Sequence, residues 1–310
     1  MKVRSVLVAS LLFPLLILIT PLSRAESLAD LTPQGPGNHI LGLDISRYQH
    51  SKSKPINFAA MYESGVRFLW INGGNTLAAP DELAFKYYRS DRIGAQQNNI
   101  FTGFYYYVHL PNTVKKSIIV ANARNQANKV LARINSQGGL NQLDLPVAID
   151  LERTCTQEGK HHFCTHHMSK KNISIWLQTW LKTVEGGTGR APIIYSYLSF
   201  LGASIGNFPG LADYPAWVAT ARINPKTSQP TLPHGKCSSN VWTTAGCHLH
   251  WTFWQYSSGG IGARYGLQSG PVDMDIFNGD SAQFLSLTTY PQTPTAPGGP
   301  IPAATPVPTS

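Results

Sequence analysis

An α/β barrel of five β/α units followed by three strands is the fold this sequence predicts. Three observations lead there. Short apolar, β-branched or aromatic runs alternate with longer amphipathic stretches through the first two thirds of the chain. The last third keeps the strand signals but shows no convincing helix between them. Acidic residues fall near the ends of several strand signals, where a barrel of this class builds its site.

Strand one is expected over 39–46 and carries Asp44. A short helix over 57–64 follows, with Asn57 as its cap, because an Asn side chain accepts from the free N–H groups of a first turn. Strand two is expected over 66–71. A helix over 82–98 has Asp81 near its cap. Strand three, 101–108, is dense in Tyr and Phe. A long helix from about 113 to 137 stops at Gly138-Gly139, since glycine takes the left-handed conformation that closes a helix. Strand four, 147–152, follows Pro146. A helix near 169–184 is expected to end at Gly186-Gly187. Strand five, 192–197, and a short helix near 200–205 complete the fifth unit. The closing strands are expected over 216–221, 249–257 and 272–277. A long, polar, Cys-bearing connection over 222–248 separates the first two of them.

Strand four carries the main chemical signal. Leu145-Pro146-Val147-Ala148-Ile149-Asp150-Leu151-Glu152 is a buried-strand pattern ending in two acids two residues apart. Side chains alternate along a strand, so Asp150 and Glu152 share a face. Two close carboxylates at the end of a buried strand are costly. They also push their pKa values apart, leaving one protonated and one ionised, which suits acid-catalysed cleavage of a glycosidic bond. Taken alone, the pair also fits helix-capping or salt-bridged acids. Asp44 on the first strand and Asp273 on the last add acids on two further strands.

The ends of the chain read differently from its middle. Lys2 and Arg4, an apolar run over 6–19 and Ser23-Arg24-Ala25 form the pattern of a signal peptide over 1–25. A folded domain is expected over 26–290. The stretch 291–310 is Pro-, Thr- and Ala-rich, carries no charge and reads as a flexible tail. The mature protein is expected to be secreted or periplasmic, monomeric, and without stable membrane association after cleavage. Four cysteines agree with an oxidising compartment, and their spacing suggests Cys155–Cys164 and Cys237–Cys247 disulfides, although four cysteines allow three pairings. His161, His162, His166 and His167 crowd around Cys164 without the spacing of a zinc helix, so no metal and no cofactor are expected. The formal charge is +9, of which Lys2, Arg4 and Arg24 contribute three, leaving +6 on the mature chain. That balance suits an anionic polymer such as bacterial cell wall, and the absence of a dense Lys/Arg run argues against nucleic acid.

Several motifs resemble one known family. Gly42-Leu43-Asp44-Ile45-Ser46-Arg47-Tyr48-Gln49 resembles the opening Gly-x-Asp-x-Ser-x-x-Gln of glycoside hydrolase family 25, the Chalaropsis-type lysozymes. Pro146–Glu152, Pro192-Ile193-Ile194-Tyr195 and Pro215-Ala216-Trp217-Val218-Ala219 resemble later segments in the same order. Phe253-Trp254-Gln255-Tyr256-Ser257 and Val272-Asp273-Met274-Asp275-Ile276-Phe277 resemble the two closing strands. The resemblance implies a TIM-like flattened barrel and an N-acetylmuramidase acting on peptidoglycan. It makes Glu152 the proton donor, Asp150 its partner, and Asp44 and Asp273 further acids of the groove. Tyr105, Tyr195 and Trp217 would stack on or bond to sugars, and Gln49 and Gln255 would bond to sugar hydroxyls. For the aromatics the other reading is core packing, and for the glutamines it is satisfaction of loop backbone. Two departures stand out: Asn72-Gly73-Gly74-Asn75-Thr76 replaces a Lys-Ala-Thr-Glu-Gly-like run, and Tyr105-Tyr106-Tyr107 replaces Tyr-His-Phe. They remove charge from the groove. A non-catalytic wall- or glycan-binding barrel and a metal-dependent wall amidase or deacetylase using the histidines are the competing readings.

Overall fold

The computed structural model describes residues 30–50, 55–76, 82–206, 208–219, 251–268 and 270–289. The expected leader over 1–25, the tail over 291–310, the cap at Asp81, the connection over 222–248 and the Cys237–Cys247 pairing lie outside the described residues.

Eight strands close into a barrel. In chain order they are β1 (Ile40–Ile45), β2 (Val66–Asn75), β3 (Phe101–Tyr107), β4 (Ala148–Asp150), then β7 (Ile193–Tyr197), β8 (Ala216–Ala219), β9 (Phe253–Ile261) and β10 (Pro271–Phe277). Two short strands, β5 (Cys155–Glu158) and β6 (Cys164–His167), form a separate hairpin after β4. Around the barrel the order is β1-β10-β9-β8-β7-β4-β3-β2. Within the barrel every pairing that does not involve β10 is parallel, and β10 runs antiparallel to both of its neighbours. The start of β10 therefore faces the same way as the ends of the other strands.

Alternation builds two shells. Ile40, Phe68, Trp70, Phe101, Ala148, Ile193, Trp217, Phe253 and Phe277 point into the barrel and fill it. Leu41, Leu43, Leu69, Ile71, Phe104, Ile149, Ile194, Val218 and Ile276 point outward under the helices. Aromatic rings this large fit the barrel because glycine faces them. A Cβ on Gly103 would lie 2.1 Å from the Trp70 ring, and one on Gly42 would lie 2.2 Å from the Phe68 ring.

The helices are α1 (Phe58–Glu63), α2 (Glu82–Gln97), α3 (Lys116–Asn135), α4 (Lys170–Thr188), α5 (Leu198–Ser204) and α6 (Ser281–Ser286). Asn57 caps α1 as expected, its side chain accepting from Ala60 N at 3.0 Å. Helix α4 passes through Gly186-Gly187 instead of stopping there, and Gly189, at φ 69°, closes it. The reason is packing: a Cβ on Gly187 would lie 2.5 Å from Leu131 of α3, so this glycine lets the two helices approach. Helix α6 follows β10 and seats Phe284 against Phe68, Phe101, Phe253 and Phe277. That ring plugs the end of the barrel away from the acids. None of the helices among the described residues is long and apolar enough to cross a membrane.

Candidate active site

Register carries six strands' polar side chains to one end of the barrel. Asp44 pairs with Asp273 across β1 and β10, and Asp150 pairs with Tyr195 across β4 and β7. Asp275 pairs with Gln255, and Tyr107 with Asp150. Strand β4 ends at Asp150, shorter than expected, so Glu152 lies just beyond its ladder. Its approach is fixed all the same: Leu151 N donates to Tyr195 O at 3.2 Å, and Ser196 Oγ donates to Leu151 O at 2.6 Å. Glu152 is thereby half-buried at the rim while Asp150, only 6% exposed, sits inside.

Gln255 ties the opposite wall together. Its Nε2 donates to Asp44 Oδ2 at 2.7 Å and reaches Asp273 Oδ2 at 3.4 Å. Its Oε1 accepts from the Tyr195 hydroxyl at 3.0 Å. An amide is suited to this position because it accepts at one end while donating to carboxylates at the other. Tyr105, the residue one layer up from Gly103, is hydrogen-bonded to Asn72. Tyr197, the last residue of β7, bonds to Glu152; burial, then the Glu152 charge, push its hydroxyl up to about 12, so it acts as a donor.

The acids hold protons unusually tightly. Burial raises Asp44 well above the usual carboxylate range, and the Asp273 charge adds to this, while bonds from Gln255 and Asp275 oppose it. Asp150 is raised well above that range by burial first, then by the charge of Glu152 and a hydrogen bond with it. Asp273 is raised to about 6 by burial and by Glu152. One fully buried acid was not among the residues expected from the sequence. Asp275 accepts from Trp217 Nε1 at 2.7 Å; its other oxygen accepts from no donor among the described side chains, and its carboxyl is hydrogen-bonded to that of Asp44, to which it donates when protonated.

The sequence-predicted residues divide into two groups. Asp44, Asp150, Glu152, Asp273, Tyr105, Tyr195 and Gln255 converge on the mouth. Trp217 and Gln49 do not present free surfaces there. Trp217 is 1% exposed, stacked on Trp70 at 4.7 Å and covered by Tyr195 at 4.4 Å between centroids. It supports the floor of the site through its bond to Asp275. Gln49 closes a capping box, accepting from Ser46 N at 2.8 Å and donating to Pro271 O at 3.4 Å, so its amide holds the loop after β1. Tyr197 was missed, and Tyr107 and Asn72 were noted only as departures from the family pattern, although each lies two residues beyond an inward-facing position and alternation alone would have marked it.

After β4, Cys155 and Cys164 are joined in a disulfide, as expected, with Cα atoms 5.6 Å apart. Cys164 is thus unavailable as a metal ligand. His162 bonds Glu158, and His167 bonds Thr154. Among the described residues no group of three or more His, Cys, Asp or Glu is arranged to hold a metal.

A mostly parallel barrel with carboxyls gathered at the C-terminal ends of β1 and β4 and on the first half of the antiparallel β10 fits a glycoside-hydrolase type of site. The sequence model of glycosyl hydrolases family 25 matches residues 43–263. The chain belongs to that family and is a glycoside hydrolase. Lysozyme M1 of Streptomyces globisporus is 27% identical over 260 residues, covering 80% of this chain and 71% of that protein. The N,O-diacetylmuramidase of Chalaropsis sp. is 24% identical over 213 residues, covering 68% and 90%. The solved structure of a bacterial lysozyme from Streptomyces coelicolor shares the fold, with a TM-score of 0.59 at 23% identity, covering 82% of this chain and 99% of that one.

Proposed function

We propose that this chain is an exported N-acetylmuramidase that cuts the β-1,4 bond between N-acetylmuramic acid and N-acetylglucosamine. The observation that carries the reading is the convergence of Asp44, Asp150, Glu152 and Asp273 at one end of the barrel. The lysozyme and muramidase relatives supply the substrate class. The leader pattern over 1–25 supports export to the medium or periplasm.

Glu152 is the proton donor. It is the one acid of the four that lies past its strand, at the rim, where a glycosidic oxygen can reach it. Tyr197 positions it from the side. Asp150, buried behind it and hydrogen-bonded to it, holds its own proton well above the usual carboxylate range and positions the donor. Asp44 and Asp273, bridged by Gln255, face the cleft from the opposite wall and stabilise the positive charge that develops on the sugar ring as the bond breaks. The phenol of Tyr105 and the amide of Gln255 offer partners to acetamido and hydroxyl groups.

Purified peptidoglycan is the substrate for the test, with released fragments reduced by borohydride and read by mass spectrometry. Fragments ending in reduced muramic acid are expected. Glu152→Gln keeps the shape of the donor and removes its proton, so a loss of about 10²–10⁴-fold is expected with the fold unchanged. Ends in reduced glucosamine would assign a glucosaminidase instead. Wall binding with no new reducing ends would favour a binding barrel.

A further inference from the structure

A cavity of about 450 Å³ opens beside the proton donor, outside the barrel mouth. Its wall includes Glu152 itself, then Arg153, Thr154, Glu158, His162 and His167, with Phe200 and Ser204 of α5 closing it from the β7 side. The β5–β6 hairpin forms most of that wall, with the Cys155–Cys164 disulfide across it. No residue of β1, β8, β9 or β10 lines it, so it lies to one side of the carboxyl cluster.

The lining is unlike a sugar subsite. The phenyl ring it includes, Phe200, is largely buried, and the rest is the carboxylates of Glu152 and Glu158, the Arg153 guanidinium, the imidazoles of His162 and His167, two hydroxyls and the disulfide. Arg153 Nη1 lies 3.1 Å from Glu158 Oε1, and His162 Nδ1 lies 3.0 Å from Glu158 Oε2. All three side chains are exposed, at 64%, 93% and 40% for Arg153, His162 and Glu158. Exposed pairs of this kind contribute little, about 0–1 kcal/mol each, so an incoming carboxylate can take the place of Glu158 at small cost. Arg is the side chain best suited to receive it, because its planar fork matches two carboxylate oxygens. The volume suits a small ligand or a short peptide segment, not a folded partner.

We propose that this hairpin pocket binds the carboxylate-bearing peptide arm of muramic acid, so that the enzyme reads the peptide as well as the sugar. The inference rests on the muramidase reading. In that substrate the peptide hangs from the sugar whose bond is cut. A branch leaving that sugar beside Glu152 meets Arg153 next.

Two soluble substrates test it: uncross-linked glycan strands that carry their peptides, and the same strands stripped of peptides by an amidase. Wild-type kcat/KM is expected to be about tenfold higher on the peptide-bearing strands, the scale of one charge-assisted hydrogen bond. Arg153→Ala is expected to bring that ratio near one, and Arg153→Glu below one. Both strands are cut through the same donor, so a change in folding or in Glu152 cancels in the ratio. A wild-type ratio near one, or a ratio that neither substitution moves, overturns the proposal. Calorimetric titration with muramyl tripeptide supplies a readout without cleavage. Arg153-dependent binding by a protein that cuts neither strand supports the pocket and overturns the muramidase reading. Equal cutting of both strands with no tripeptide binding does the reverse, and neither binding nor cutting overturns both.

Discussion

Asp275 is a carboxyl on a barrel floor that is otherwise aromatic and aliphatic. It is 0% exposed, and burial together with the neighbouring Asp44 charge holds it well above the usual carboxylate range. A protonated Asp275 donates to Asp44, which favours the ionised form of Asp44, and it accepts from Trp217. Asp275→Asn keeps an acceptor for the indole and a donor for Asp44. It is expected to fold normally and to retain activity within about tenfold, with the pH–rate profile changed on the limb that Asp44 governs. Asp275→Leu leaves Trp217 Nε1 and Asp44 without their partner. About 1–3 kcal/mol of stability should go with it, read as a lower Tm, and the rate should fall further than in the Asn variant. Equal rates in the two variants would remove Asp275 from the site and leave it a packing residue. The sequence marked Asp44, Asp150, Glu152 and Asp273 because they sit where apolar runs end. Asp275 was not marked, although it stands two residues from Asp273 and so shares its face, the spacing that marked Asp150 and Glu152; its depth in the barrel, set by the neighbouring strands, was not legible. The burial of Trp217 was hidden for a related reason: depth along a barrel axis depends on which strands neighbour it, not on its own strand.

Among the elements, those with strong alternation or clear caps were legible. Strands β1, β3 and β7 lie within a residue of their expected bounds, because each pairs alternating inward and outward side chains with a turn signal. The β5–β6 hairpin was not legible as strands. Cys155–Glu158 and Cys164–His167 are polar on both faces, so they carry no period, and a disulfide rather than a core supports them. The end of α4 was misplaced for want of a tertiary fact, the approach of Leu131 to Gly187. Close packing also gives the sharpest element-scale expectation. Strand β3 keeps Gly103 because the Trp70 ring occupies the space of a Cβ. Gly103→Ala must push Trp70 toward Trp217, which it already stacks on at 4.7 Å. A loss of about 1–3 kcal/mol is expected in urea unfolding, together with reduced activity, since Trp217 supports Asp275. Gly138→Ala, at a helix end with nothing within 4 Å of the added carbon but a φ of 84°, serves as the comparison: any loss there is backbone strain alone and should leave activity intact.

On the scale of the whole molecule, the gathering of acids sets how stability depends on pH. Asp44, Asp150, Asp273 and Asp275 are all raised, burial being the first cause in each. Asp91, buried against His50, is raised as well. Each binds its proton more tightly in the folded chain than in the unfolded one. Their contribution to stability is therefore complete below the unfolded value near 4 and is lost as pH rises through the folded values. For Asp273 the window runs from 3.8 to about 6, which corresponds to about 2–3 kcal/mol across it. His39 and His109 act in the opposite sense. Burial lowers both, so the stability they contribute is lost as pH falls below 6.5. The acids are more numerous and more deeply buried, and their side of the balance wins. Calorimetry of the mature protein at low salt should give a higher Tm near pH 5 than near pH 7.5. Asp273→Asn should raise the Tm at pH 7.5 by more than at pH 4, because the neutral amide removes a cost that appears only when the carboxyl ionises. A variant that gained nothing at the higher pH would mean that water or a counter-ion already compensates the charge of Asp273. The cleft would then be far less desolvated than its geometry requires.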